Sequence, residues 1–109
     1  MAKNKEHVIK VGLKKGELTL SRHSVVVGIG DTITWTLTKG RVAPFAVIVP
    51  SFVPPLSWSC KAKKGHEIKG KVRKSAVPGI YPYAVSLCDG DKLLVVDPDI
   101  IIPPPKGGR

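Results

Sequence analysis

Cys88 heads the stretch Cys88-Asp89-Gly90-Asp91, which puts a thiol and two carboxylates within four residues of a 109-residue chain. A thiolate joined by imidazoles is the donor set for copper or zinc. The other soft or nitrogen donors are Cys60, His7, His23 and His66. They stand singly, without Cys-x-x-Cys, His-x-His or His-x3-His spacing, so only an atypical site pairing Cys88 with His23 or His66 is conceivable. Cys60 and Cys88 can be two buried thiols, one disulfide, or a thiol and a ligand. With no secretory signal in view, free buried thiols are expected. Asp89, Asp91, Asp97 and Asp99 lack the Asp-x-Asp-x-Asp-Gly order of a calcium loop. Asp89-Gly90 reads instead as turn chemistry, and Asp97-Pro98 as a break in an edge strand.

The second chemical feature is charge. The chain carries 18 Lys and Arg against 8 Asp and Glu, a net +10. Seven cations, Lys61, Lys63, Lys64, Lys69, Lys71, Arg73 and Lys74, fall within fourteen residues, with Glu67 the only anion among them. Phe52 and Trp58 precede them and could stack on bases or meet an apolar partner. Cations along a backbone with aromatics for bases is how single-stranded nucleic acid is held. The alternative is a solvated face whose lysines discourage sheets from pairing edge to edge. No Ser/His/Asp order, glycine-rich phosphate cradle or pocketed carboxylate pair is recognisable, so no enzyme is expected.

The elements that must position these groups read as β throughout. No segment has helical periodicity of useful length, and short β-branched runs alternate with Gly, Pro, Asp and Asn signals. Strands are predicted at 7–13, 17–21, 24–28, 31–38, 44–50, 66–77, 79–87 and 92–102, with 79–87 and 92–102 closing a final pair. In the fourth, Thr32, Thr34 and Thr36 alternate with Ile33, Trp35 and Leu37, giving one polar and one buried face. In 66–77, Glu67, Lys69, Lys71 and Arg73 fall on one face. Trp35, Tyr81 and Tyr83 are expected in the core. Residues 51–65 hold adjacent prolines and no period, so they are read as a long loop, with Phe52 and Trp58 as a candidate partner-binding edge. The chain is read as one domain, core about 5–102, with an exposed tail at 103–109. The start has no apolar segment behind its charges and no run is long enough to span a bilayer, so a cytoplasmic protein without membrane insertion is expected.

Two stretches resemble one family. "VVVGIGDTITWTL" (25–37) is similar to the cupredoxin segment in which a Gly-Asp turn leads into a Thr/Val-rich strand bearing a tryptophan, and "VPGIYPYAVSL" (77–87) to the strand in which a Pro-Gly turn precedes Tyr-x-Tyr. The resemblance covers about 16–102 and implies an all-β, cupredoxin-like Greek-key β-sandwich of seven to eight strands. It also implies where a type 1 copper site would lie. The first histidine position is held by Phe45, the cysteine position by Val85 and the second histidine position by Cys88; the only methionine is Met1. Hydrocarbon at Phe45 and Val85 favours packing over a hydrated ion. The reading is therefore a small, basic, non-enzymatic β-sandwich without the copper centre or any other cofactor. It would bind another protein, itself or a polyanion, with nucleic acid on the 61–74 face as one version. An atypical copper protein using Cys88 and a histidine is the alternative.

Overall fold

Alternation gives the central strand its two faces: along Thr32–Leu37, Ile33, Trp35 and Leu37 are buried inward while the threonines point the other way. The computed structural model describes residues 4–38, 44–49, 56–59 and 67–104, the side chains of 56–59 excepted. Among them the secondary structure is all β. The strands are β1 (Glu6–Lys14), β2 (Glu17–Leu20), β3 (Ser24–Val26), β4 (Thr32–Leu37), β5 (Phe45–Ile48), β6 (Leu56–Ser59), β7 (Glu67–Val72), β8 (Gly79–Pro82), β9 (Ala84–Asp89), β10 (Lys92–Val96) and β11 (Asp99–Ile102). No helix among the described residues is long and apolar enough to cross a membrane.

One layer is a five-stranded sheet in the order β2-β1-β4-β7-β6. Within it β1 and β4 run parallel, Glu6 opposite Thr32 and Val11 opposite Leu37, and β7 lies antiparallel to β4. The other layer is built on one long hairpin. β9 pairs with β10 and β8 with β11 in a single register, from Lys92 opposite Asp89 at the tip to Ile102 opposite Gly79 at the base. Between the two ladders the Tyr83 N–H donates to the Pro98 carbonyl at 2.9 Å, so the register passes through the break. β5 flanks the tip half against β9, and β3 flanks the base half, parallel to β11.

The strand count exceeds the expected seven to eight for two reasons. Pro82 and Pro98 lack an N–H for the ladder and divide each arm of the hairpin in two. Residues 56–59, expected within a loop, form β6: Leu56 pairs with Val72 and Ser59 with Lys69. Pairing satisfies backbone groups that would otherwise edge β7, and that outweighs the missing apolar period.

The inner faces meet over a core of Ile9, Val11, Ile33, Trp35 and Val72 from the first layer and Val25, Val27, Tyr83, Val85, Leu87 and Ile100 from the second. The Trp35 indole N–H donates to the Tyr83 hydroxyl at 3.0 Å, and the rings meet edge to face with centroids 5.5 Å apart. This bond crosses the interior and ties the layers by their two largest buried side chains. Burial pushes the Tyr83 phenol up to about 12, against the opposing effect of the Trp35 hydrogen bond and with a further rise from Asp99. Tyr81, expected in the core beside Tyr83, is half-buried, and its hydroxyl donates to the Val77 carbonyl.

Candidate anion-binding face

β7 buries Gly70 and Val72 and directs the intervening residues outward. Glu67, Lys69, Lys71 and, just beyond the strand, Arg73 therefore share the outer side of the five-stranded sheet, about 6.6 Å apart along the strand. Their neighbours across β4 are threonines, with Thr32 opposite Lys71 and Thr34 opposite Lys69. The Glu67–Lys69 contact is 3.9 Å between groups about 40% exposed, so it holds Lys69 only weakly. Thr34 is buried on this side, and its Oγ1 has no hydrogen-bond partner among the described residues.

The row ends in a cleft of about 400 Å³. Lys71, Arg73 and Lys74 line it together with Asn4 and the 29–30 turn, and Ile29 and Val72 supply apolar lining. The turn is shaped by Gly30, whose φ of +86° suits glycine. A Cβ there would lie 2.8 Å from Asn4 Oδ1, so a larger residue would also displace the Asn4 side chain.

A second cleft of about 370 Å³ adjoins the first and shares Asn4 and Ile29 with it. Asp31 lies at its edge and organises the corner. Its Oδ1 accepts the Lys5 N–H at 3.0 Å; its Oδ2 accepts the Gly28 N–H and the His7 Nε2–H, both at 2.9 Å. Burial alone would raise the Asp31 pKa, but the bonds from Gly28, His7 and Lys5 together hold it below the usual aspartate value of 3.8. The anionic carboxylate is thus the form the fold selects. It clamps the start of β1 to the turn before β4, which holds Asn4 beside Gly30 at the cleft.

Lys69, Lys71, Arg73 and Lys74 come together as one face. Lys61, Lys63, Lys64, Phe52, Cys60 and His66 lie outside the described residues, and Trp58 falls in β6 rather than in a loop, its side chain outside the description. Phe45 and Val85 both turn toward the core side of the second layer, with Phe45 opposite Leu87 and Val47 opposite Val85. Cys88 does not join them. Three residues along a strand separates faces, so Cys88 projects outward beside Pro44 and Ser86 while Val85 is fully buried. The expectation of buried thiols fails at this residue: Cys88 is a free, exposed thiol, because β9 keeps its alternation to the tip. Those residues do not fit a type 1 copper centre, since two offer only hydrocarbon and the thiol faces away from both. Among the described residues no three His, Cys, Asp or Glu side chains stand together as a metal site.

Asn4, Ile29, His7 and Asp31 carry no signal in the sequence that would group them. His7 and Asp31 are 24 residues apart and meet only because β1 lies parallel to β4. No family model matches the chain, and no curated protein matches it either.

Proposed function

We propose that this chain is a non-enzymatic, copper-free, cupredoxin-like β-sandwich that binds polyanions along β7 and in the cleft at its end. The observation that carries the reading is the convergence of Lys71, Arg73 and Lys74 on one open cleft, continuous with Lys69 on the same outer face. Cations in a row on a rigid strand match a chain of regularly spaced phosphates or sulfates, and the release of condensed counterions supplies the binding free energy. Asn4 adds an amide for hydrogen bonding, and Ile29 a patch on which an apolar part of the ligand can rest. A Greek-key order is supported by the path of the chain: β1 and β2 lie in one layer, β3 in the other, and β4 returns beside β1.

The test is fluorescence polarisation with a labelled thirty-nucleotide oligothymidylate and with heparin, from 25 to 300 mM salt. Four cations on the track predict a log–log salt slope of about −3 for a single strand. Lys71→Glu with Arg73→Glu should weaken binding at least tenfold and flatten the slope by about 1 or more. Absence of binding to both probes at low salt, or affinity indifferent to this double substitution, refutes the reading.

A further inference from the structure

The second layer turns a very different surface outward. Along the hairpin, Leu93, Val95 and Cys88 point away from the core near the tip, and Ile80 and Ile101 near the base. Val26 on β3 and Ile48 on β5 extend this surface on either side. Leu93 is 65% exposed, Ile80 68%, Val26 57%, Ile48 55% and Val95 53%. The charged side chains on this face, among the described strands, are Asp97 and Asp99, near its middle. Scattered apolar residues are ordinary on a surface, but this many on one side of one sheet mark a contact surface.

We propose that this face is where a second copy of the chain docks, through the same face, as an isologous dimer. The extent fits. Two arms of the hairpin, about 36 Å long and widened by β3 and β5, present on the order of 500 Å² in projection. Side-chain relief brings that near the ~600 Å² per partner at which specific interfaces begin. Charge fits as well. Each copy carries +10, but the β7 row lies on the other layer. Four stacked sheets at ~10 Å spacing put the two basic faces ~30 Å apart, several Debye lengths at physiological salt. A two-fold axis along the strands lays 92–102 of one copy over 79–89 of the other. Leu93 then covers Cys88, Ile101 covers Ile80, and Asp97 and Asp99 meet Ala84 and Pro82 rather than each other. The aspartates oppose this association, because docking removes water from their carboxylates.

That opposition makes the test two-sided. Sedimentation equilibrium of the full chain from 5 to 500 µM in 0.15 M salt should show monomer and dimer in exchange. Ile80→Lys with Val95→Lys should leave monomer throughout, with an unchanged far-ultraviolet spectrum, since both side chains are exposed. Asp97→Asn with Asp99→Asn should tighten the dimer three- to tenfold. A wild type that stays monomeric at 500 µM overturns the proposal, as does a dimer that survives the lysine pair or is weakened by the asparagine pair. Binding of the wild type to phosphatidylcholine vesicles without self-association overturns it in favour of a lipid surface.

Discussion

Replacing Asp31 by alanine should lower stability by about 2–3 kcal/mol at pH 7 without unfolding the protein. The carboxylate accepts two backbone N–H bonds, from Lys5 and Gly28, and one from His7, at 2.9–3.0 Å. Hydrogen bonds to a charged group are worth ~1.5–3 kcal/mol each, but they share one acceptor and are not additive. The adjoining cleft lets water reach the freed donors, which places the sum near the low end. At ~2.1 cal/mol/K per residue the unfolding entropy of a chain this size is ~0.23 kcal/mol/K, so the loss corresponds to a fall of about 10 °C in Tm. Because the folded-state pKa is lowered, the contribution is present above the ordinary value of 3.8 and is lost as pH falls through the folded value. The gap between wild type and Asp31→Ala, read by urea titration at a series of pH values, should therefore be flat from pH 7 to 5 and close below pH 4. A Tm within 2 °C of wild type at pH 7, or a gap that stays constant down to pH 3, would refute the clamp. Binding offers a second reading: loosening Asn4 at the cleft should change oligothymidylate binding less than Lys71→Glu with Arg73→Glu does.

Tyr83→Phe removes the acceptor of the Trp35 N–H and should cost about 1 kcal/mol by denaturant titration at pH 7. The wild type, whose Tyr83 is pushed up to about 12, should also lose about 2 kcal/mol between pH 10 and 12, since the unfolded tyrosine ionises first; the phenylalanine variant should lack that loss. Thr34→Val deletes a buried hydroxyl without a described partner and should raise stability by up to ~1 kcal/mol, measured as a shift in urea midpoint; a loss of more than 1 kcal/mol would show that the hydroxyl is satisfied. Glu67→Gln removes an anion from the β7 row and should tighten oligothymidylate binding a few-fold, with no change in Tm beyond 2 °C.

The all-β character was legible because period-two alternation is local: Thr32–Leu37 and Glu67–Val72 declare their faces residue by residue. The outward cations of β7 follow from the same arithmetic. The final pair was legible for a similar reason, since one arm is rich in aromatic and apolar residues, the other in Val and Ile, and Asp89-Gly90 is turn chemistry. β6 was not, because Leu56–Ser59 has no apolar period and owes its strand to the edge of β7. Nor were the clefts. Asn4, Asp31 and Arg73 are joined by sheet register and a turn, and neither is written in the spacing of their side chains. Phe45 and Val85 lie within predicted strands, whereas Cys88, expected just past the end of 79–87, is carried on β9, and strand parity decides that it faces away from the other two.

The hairpin from Gly79 to Ile102 carries apolar residues on both of its sides, inward at Tyr83, Val85, Leu87 and Ile100 and outward at Ile80, Leu93 and Val95. Hydropathy therefore separates the two sides of this ribbon chiefly at its middle, where Asp97 and Asp99 share the outward parity. Toward the far end, the turn at the tip helps to hold the register. Asp89 sits opposite Lys92, and Gly90 takes a φ of +64° as the first of two loop residues, the geometry of a tight II′ hairpin. Bulk at Gly90 would do more than strain one turn. It would loosen the register that keeps Asp97 and Asp99 outward, and chains in which one arm slips by a residue, turning those carboxylates inward, are prone to aggregate before they finish folding.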